Sequence, residues 1–150
     1  MEYTIGKKYK FEAAHQVRSQ VRSPCLCHNI HGHSYTVEVI LSSDKLDESD
    51  MVVDYGYLDD VVKPIIEKLD HSFLYADLDF TEFLEKCIVN DYRTTRIPGK
   101  SPTAENIAMY LLTEISSKLQ KLPNSNNYTR LKIIVKETEK SFASVEKILK

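Results

Sequence analysis

Two stretches of this chain alternate between apolar and polar residues, and both carry histidine on the apolar side. In the first stretch, residues 3–15, the odd positions are apolar except at Lys7 and end at His15. In the second stretch, His31 and His33 lead into a similar alternation. Because successive side chains of a strand point to opposite faces, each stretch is predicted to be a strand with one buried face.

An antiparallel pairing of these two strands would bring three imidazoles together. The end of the first strand would lie beside the start of the second, so that His15 would meet His31 and His33. Gly32 between the last two permits a close approach of the backbone that a side chain would block. Three histidines that leave one tetrahedral position open are typical of catalytic zinc. We therefore predict that these three histidines bind Zn²⁺.

Two other interpretations of these histidines stay open. His15 alone could be a core histidine that closes an apolar stripe and satisfies its hydrogen bonds there. A structural zinc knuckle could instead use Cys25 and Cys27 with His31 and His33, which would fill all four positions of the metal without His15. In both alternatives, unlike in the predicted three-histidine site, the first strand contributes no metal ligand.

The length and charge of the chain limit its class. A chain of 150 residues is predicted to form a single domain, 1–150, with one core. A net charge of -2 gives no general attraction to nucleic acid or to an anionic membrane. Without a membrane-spanning run or a signal-peptide core, the protein is predicted to be cytoplasmic. Three cysteines are too few for a disulfide framework, so Cys25, Cys27 and Cys87 are predicted to be thiols.

The rest of the pattern predicts two helices and two further strands. The helices are expected over 54–69 and 103–119. Asp54 is the expected N-cap of the first helix, and Pro64 within it must bend the helix or remove a backbone hydrogen bond. Strands are expected over 128–138 and 142–149. This order predicts an α+β fold, a four-stranded antiparallel sheet with both helices on one face. Its edges and open face would need cover, which oligomerisation could provide.

The segment between the two helices is harder to assign from sequence. Residues 80–89 could form a short helix, with Cys87 on its buried side. Residues 90–100 contain Arg93, Arg96 and a glycine and are predicted to be a loop.

Glu137 is a carboxylate that continues the apolar stripe of the third strand. A charge at such a position must find a partner. It could reach solvent or pair with a lysine such as Lys136. It could also accept paired hydrogen bonds from a planar N–H donor, such as the guanidine-like edge of a heterocycle.

Two other places carry groups suited to proton transfer. Cys27 lies four residues before His31, and a thiol near a metal and cations can have a lowered pKa and act as base or nucleophile. Cys25 is a rival for this role. Asp70 and His71 follow the first helix, where an aspartate could orient and charge an imidazole, although adjacency in sequence does not guarantee contact.

Five separated segments resemble the motifs of one enzyme family. They are Phe-Glu-Ala-Ala-His at 11–15, His-Gly-His-Ser-Tyr at 31–35 with Cys27 before it, Leu-Asp-His at 69–71, Pro-Thr-Ala-Glu at 102–105 and Val-Lys-Glu-Thr at 135–138. Together they resemble the 6-pyruvoyl-tetrahydropterin synthase superfamily, especially its bacterial 6-carboxy-tetrahydropterin synthase branch of queuosine biosynthesis. The resemblance covers nearly the whole chain.

The resemblance implies a fold, an assembly and a set of roles. The fold is the T-fold, and the assembly is a homohexamer of two stacked trimers with active sites between subunits. The implied roles are zinc ligation by His15, His31 and His33, general base for Cys27, proton relay for Asp70 and His71, and pterin anchor for Glu137.

The implied substrate is a small molecule, 7,8-dihydroneopterin triphosphate. The queuosine branch converts it to 6-carboxy-5,6,7,8-tetrahydropterin with release of acetaldehyde and triphosphate. Formation of a 6-pyruvoyl product is the alternative, and a non-catalytic pterin-binding zinc module is a second alternative. Cys27 has the cysteine spacing of the bacterial branch, although Cys25 has that of the animal enzymes.

Four arginines are candidates for contact with the triphosphate of this substrate. Arg18 and Arg22 lie in the loop before the second strand, and Arg93 and Arg96 lie in the segment between the helices. The simpler interpretation is that all four are charged side chains of solvated loops without a binding role.

Overall fold

The computed structural model describes residues 1–18, 22, 25–79 and 81–150. Its strands and helices follow the chain in this order: β1 (Tyr3–His15), β2 (His31–Ser43), α1 (Tyr55–Leu69), β3 (Ser72–Tyr75), α2 (Glu82–Val89), β4 (Thr94–Arg96), α3 (Ala104–Ser116), β5 (Tyr128–Thr138) and β6 (Ser141–Ile148). Short 3-10 turns cover 26–28, 77–79, 119–121 and 125–127. The predicted α+β class is confirmed.

The two long N-terminal strands form an antiparallel hairpin. Their register pairs Tyr3 with Ser43 at one end and His15 with His31 at the other. The odd positions of β1 from Tyr9 onward are buried, whereas most even positions are exposed. The apolar side chains of this face pack with α1, α3 and β5 in a single core cluster. The predicted alternation therefore sets which face of the sheet carries the core.

The prediction of a four-stranded sheet is wrong, because the sheet has six strands in the order β4-β3-β1-β2-β5-β6. β3 runs parallel to β1 and pairs Leu74 with His15, and β4 runs parallel to β3. β3 has four residues, Ser-Phe-Leu-Tyr, of which the first three are buried, and β4 has three residues within the segment predicted to be a loop. Segments this short carry too few residues to show a period of two.

The helices begin close to the predicted positions. The Asp54 carboxylate accepts a hydrogen bond from the Gly56 backbone N–H at 2.6 Å and caps α1. Pro64 lies inside α1 on its exposed side. Thr103 caps α3, which ends at Ser116, before the predicted end.

The structure also contains the short helix predicted between the two long ones. α2 covers Glu82–Val89 and buries Cys87 as predicted, whereas Phe80 lies outside the described residues. No helix among the described residues is both long and apolar enough to cross a membrane.

The C-terminal strands extend the sheet beside β2. β5 pairs antiparallel with β2, opposing Val135 to Val37, and β6 pairs antiparallel with β5. The register between β5 and β6 shifts between Val135 and Thr138. Such an irregularity re-aims side chains at a strand end, and Glu137 lies within it.

Candidate metal centre

The structure brings together the three histidines that the sequence singles out, His15, His31 and His33. We call them the histidine trio. One ring nitrogen from each lies within 4.8 Å of those of the other two. The closest pair is His15 Nε2 and His31 Nε2, at 3.1 Å. The hairpin register causes this meeting, because the last residue of β1 lies opposite the first residue of β2.

Backbone carbonyls fix which nitrogens of His15 and His31 face the centre of the trio. His15 Nδ1 donates to the Pro102 carbonyl at 2.7 Å, and His31 Nδ1 donates to the Asn29 carbonyl at 2.7 Å. A carbonyl only accepts, so Nδ1 of each neutral ring carries the proton and Nε2 keeps its lone pair. This arrangement is typical of metal-binding histidines.

Burial favours the neutral form of two members of the histidine trio, His15 and His33. His15 is 1% exposed, and desolvation lowers its pKa to about 4, against the opposing effect of the Pro102 carbonyl. Burial, followed by the charge of His31, also lowers the pKa of His33. Neutral imidazoles are the form that binds a metal. Three such nitrogen donors in this orientation fit Zn²⁺ with a fourth position for a reactant.

The aromatic ring of Tyr35 supports the trio from the core side. It stacks on Phe11 with ring centres 4.6 Å apart, and it meets the rings of His15 and His33 edge-on at 6.0 and 5.4 Å. Its hydroxyl is buried and has no hydrogen-bond partner among the described residues. Burial and the Glu137 carboxylate raise the pKa of Tyr35. The Tyr35 hydroxyl therefore stays protonated.

Glu137 lies at the edge of the trio. Its Oε1 is 3.7 Å from His15 Nε2, and its side chain is 28% exposed. Burial raises the pKa of this carboxyl, the charge of His31 opposes that shift, and Glu105 adds to it. Burial therefore removes water molecules that would otherwise donate hydrogen bonds to the Glu137 carboxylate.

A cavity of about 330 Å³ joins the trio to Glu137 and is called the trio cavity below. Its walls also include Cys27, Thr103, Glu105 and Phe142. The cavity is therefore bounded by β1, β2, β5, β6 and the start of α3, with imidazole, acidic and aromatic groups facing one space.

The two cysteines of the loop before β2 are joined to each other. Cys25 and Cys27 form a disulfide across one intervening residue, so the prediction that both are thiols is wrong. The 3-10 turn at 26–28 places their Cα atoms 5.3 Å apart. The number of cysteines in a chain does not indicate a disulfide between such near neighbours in sequence. Cys87 is free and buried.

Asp70 and His71, called the dyad below, do contact each other. His71 Nδ1 lies 2.8 Å from Asp70 Oδ2. The Glu12 backbone N–H donates to Asp70 Oδ1 at 2.8 Å, and the His71 N–H donates to the Glu12 carbonyl at 2.6 Å. The Glu12 N–H, followed by His71, lowers the pKa of Asp70. β1 therefore fixes the dyad through its backbone.

His71 of the dyad lines a different cavity from Cys27. That cavity, of about 500 Å³, is lined by Glu12, His33, Ser34, His71 and Phe73, among others. No hydrogen bond among the described residues joins the dyad to the trio or to Cys27. His71 also has a φ of 54°, a backbone conformation that is costly for a residue with a Cβ and is concentrated at functional sites.

The four candidate arginines differ in their contacts. Arg93 donates to the Glu67 carbonyl at 2.5 Å, and Arg96 pairs with Asp77 at 2.6 Å. Arg18 and Arg22 are exposed. Because Arg93 and Arg96 are engaged in these contacts, Arg18 and Arg22 are more available to an anion.

Sequence reasoning missed the carbonyls that orient the trio and the contribution of β6. Pro102 carries a start signal for α3, but nothing in its residue type indicates that its carbonyl would accept from His15. Phe142 is 66% exposed and lines the trio cavity. The residue pattern of β6 predicted a strand but did not indicate that Phe142 would line a cavity.

A six-stranded sheet with three imidazoles converging at the end of its central hairpin defines a candidate metal centre. A family model described as "6-pyruvoyl tetrahydropterin synthase" matches residues 4–147. The chain belongs to this family.

Named relatives cover nearly the whole chain. A protein of Aquifex aeolicus (strain VF5), named 6-carboxy-5,6,7,8-tetrahydropterin synthase, is 32% identical over 158 residues, covering 95% of this chain and 97% of that protein. A protein of the same name from Helicobacter pylori (strain J99 / ATCC 700824) is 34% identical over 142 residues, covering 93% and 70%.

Solved structures share the fold. The 6-pyruvoyltetrahydropterin synthase of Plasmodium vivax is 20% identical, with a TM-score of 0.78 and coverage of 99% of each chain. An uncharacterized protein of Wolinella succinogenes is 27% identical, with a TM-score of 0.75 and coverage of 97% of this chain and 98% of that one.

Proposed function

We propose that this protein is a zinc-dependent 6-carboxytetrahydropterin synthase, a lyase of queuosine (preQ0) biosynthesis in the cytoplasm. It converts 7,8-dihydroneopterin triphosphate to 6-carboxy-5,6,7,8-tetrahydropterin, acetaldehyde and triphosphate. The observation that carries the proposal is the histidine trio with Glu137 beside it, 3.7 Å from His15. The names of the relatives in Aquifex and Helicobacter support the choice of reaction.

His15, His31 and His33 hold the metal in this proposal. When bound, Zn²⁺ supplies Lewis acidity that favours loss of a proton next to an oxygen of the substrate side chain. The Pro102 and Asn29 carbonyls keep the ring nitrogens aimed at the metal position. Because burial keeps His15 neutral, this ligand need not release a proton before the metal binds.

Glu137 anchors the pterin ring. A carboxylate accepts two parallel N–H bonds from the guanidine-like edge of a pterin, and such charge-assisted pairs are short and directional. The half-buried position of Glu137 removes much of the water that would compete for it. Its place beside His15 puts the ring within reach of the trio cavity.

Cys27 is the general base in its reduced form. It lines the trio cavity, and a thiolate there could remove a proton from the substrate side chain. The dyad relays protons, with Asp70 orienting the imidazole of His71. Because His71 lines a separate cavity, we propose that the dyad serves the trio cavity of a neighbouring subunit in a homohexamer of two stacked trimers.

The pyruvoyl synthase reaction is the second candidate, and the position of Cys25 favours it. Cys25 has the spacing to the histidines that the resemblance gives to the animal enzymes. The Cys25→Ala and Cys27→Ala variants, assayed in reductant, separate the two assignments. We expect Cys27→Ala to lose turnover while it retains zinc, and Cys25→Ala to change turnover modestly. The reverse result would make Cys25 the base and weaken the choice of the carboxy product.

Product analysis tests the reaction itself. Reduced, zinc-loaded protein is incubated with 7,8-dihydroneopterin triphosphate, and the pterin mass and trapped aldehyde are measured. The proposal predicts a 6-carboxy pterin together with acetaldehyde. A 6-pyruvoyl pterin without aldehyde would support the second candidate. Tight pterin binding without any product at high protein concentration would show a non-catalytic pterin-binding zinc module.

A further inference from the structure

We propose that Cys25 and Cys27 form a site of reversible oxidation by hydroperoxides, in which Cys25 is the resolving cysteine and the disulfide switches off the base. The switching step rests on the proposed function of Cys27. The oxidation site itself rests on the geometry of the loop before β2, where the two sulfur atoms are bonded.

The position of Cys27 connects the disulfide to the trio cavity. Cys27 forms part of the wall of that cavity, beside His15 and His31. In the disulfide the Cys27 sulfur is not a thiolate and cannot act as a general base. A bond between two loop residues therefore changes the chemistry of the cavity without any change in the histidine trio.

The surrounding backbone holds both cysteines in place. The Val17 N–H donates to the Cys27 carbonyl at 2.9 Å, and the Gln16 side-chain amide donates to the His28 carbonyl at 2.6 Å. These bonds tie the loop to the end of β1 and do not involve sulfur. The loop can therefore keep its place whether or not the sulfur atoms are bonded.

A purely structural role for this disulfide is weak on energetic grounds. In the chain-entropy account, the stability that a disulfide contributes grows with the length of the loop that it closes. Cys25 and Cys27 enclose a single residue, Leu26, which is 84% exposed. The bond therefore restricts the unfolded chain very little and packs no core residue.

The chemistry of oxidation balances with one hydroperoxide and two thiols. The Cys27 thiolate attacks the outer oxygen of the hydroperoxide, the O–O bond breaks, and an alcohol leaves with formation of a sulfenic acid. The Cys25 sulfur attacks the sulfenic sulfur, and water leaves as the S–S bond forms. A small dithiol reductant returns both sulfurs to thiols by exchange and becomes a disulfide itself.

The two cysteines have different surroundings that suit these two roles. Cys27 lines the trio cavity, through which a small peroxide could reach it. Cys25 caps the 26–28 turn, and its sulfur accepts a hydrogen bond from the Cys27 N–H at 3.3 Å. This contact keeps the Cys25 sulfur next to the residue with which it forms the disulfide.

The test uses full-length protein that is first reduced and freed of reductant, then hydrogen peroxide and dithiothreitol, with intact mass and thiol labelling as readouts. After one equivalent of peroxide, wild-type protein should lose two labelled thiols together and lose the mass of two hydrogen atoms, and dithiothreitol should restore both. Cys25→Ala should instead gain oxygen and react with a sulfenic-acid reagent. Cys87→Ala is the matched control and should behave as the wild type does, because Cys87 is buried away from the loop.

Turnover is measured on the same samples. The proposal predicts loss of activity with the disulfide and recovery with dithiothreitol in wild type and Cys87→Ala. Failure of peroxide to remove the two labelled thiols would overturn the oxidation site. Equal turnover in the reduced and oxidised protein would overturn the switch. If the thiols respond but neither form turns over substrate, the oxidation site stands and the proposed function fails.

Discussion

Lys7 on β1 and Asp59 on α1 form an ion pair with a distance of 2.8 Å between Lys7 Nζ and an Asp59 carboxylate oxygen. The same carboxylate accepts from the Tyr9 hydroxyl at 2.9 Å and pairs with Lys63 at 3.0 Å. Among the odd-numbered positions of β1, which are otherwise mostly apolar, Lys7 carries the single formal charge. Its partner on the helix explains how the sheet accepts it.

Replacement of Asp59 should destabilise the protein in a pH-dependent way. The hydrogen bond from Lys7 lowers the pKa of Asp59 to about 2. Because the folded-state pKa lies below the ordinary value, the contribution is complete above that ordinary value and is lost as pH falls through the folded pKa. We expect Asp59→Asn to cost about 1 kcal/mol at pH 7, since solvent screens part of the pairing.

Urea unfolding at neutral and acid pH measures this effect. The difference between Asp59→Asn and wild type should shrink as the pH approaches the folded-state pKa. Asp60→Asn, next to it on the exposed side of α1, is the control and should leave stability nearly unchanged. A penalty that is the same at both pH values would contradict the assignment.

Removal of one trio histidine should abolish stable metal binding. We expect His15→Ala to weaken zinc affinity about 100-fold or more, because it removes a direct ligand. His28→Ala is the matched control, since His28 is exposed and lies outside the trio. Zinc content after dialysis against a weak chelator measures the difference. Equal zinc in the two variants would show that His15 is not a ligand.

Replacement of Glu137 should weaken substrate binding more than turnover. Glu137→Gln loses the charge and one of the two acceptors that a pterin edge requires. We expect KM to rise about 10- to 100-fold, the range for one charge-assisted pair. Glu139→Gln, two residues along on an exposed position, should leave KM close to wild type. A fall in kcat at unchanged KM would instead place Glu137 in proton transfer.

Mixed assemblies test whether the dyad serves a neighbouring subunit. Cys27→Ala and His71→Ala should each be inactive alone. When they are co-expressed, sites that combine an intact Cys27 with an intact His71 should form, and about a quarter of wild-type activity should return if subunits mix at random. Co-expression of Cys27→Ala with an inactive His15→Ala variant is the control, and it should recover nothing, because both changes lie in one cavity of one subunit. No recovery with His71→Ala would mean that the dyad and Cys27 act within one chain.

The alternation of residues made the histidine trio predictable. A period of two places His15 on the core face of β1 and both His31 and His33 on the core face of β2. An antiparallel hairpin then brings the end of β1 beside the start of β2, in a register that buries both apolar faces. Register and side-chain direction together determine the trio, which is why sequence alone could group residues sixteen positions apart.

Other parts of the fold left no comparable signal. β3 and β4 are too short to show a period, and their parallel pairing depends on where α1 returns the chain. The Pro102 carbonyl that orients His15 belongs to the backbone, so no residue type reports it. The bond between Cys25 and Cys27 depends on the path of a single turn, which spacing alone does not define.

Zinc K-edge X-ray absorption on reduced, zinc-loaded protein tests the central claim most directly. The account predicts a first shell made only of nitrogen and oxygen at about 2.0–2.1 Å, from three imidazoles and one exchangeable ligand. Sulfur scattering at about 2.3 Å would contradict it, because it would mean that Cys25 or Cys27 holds the metal.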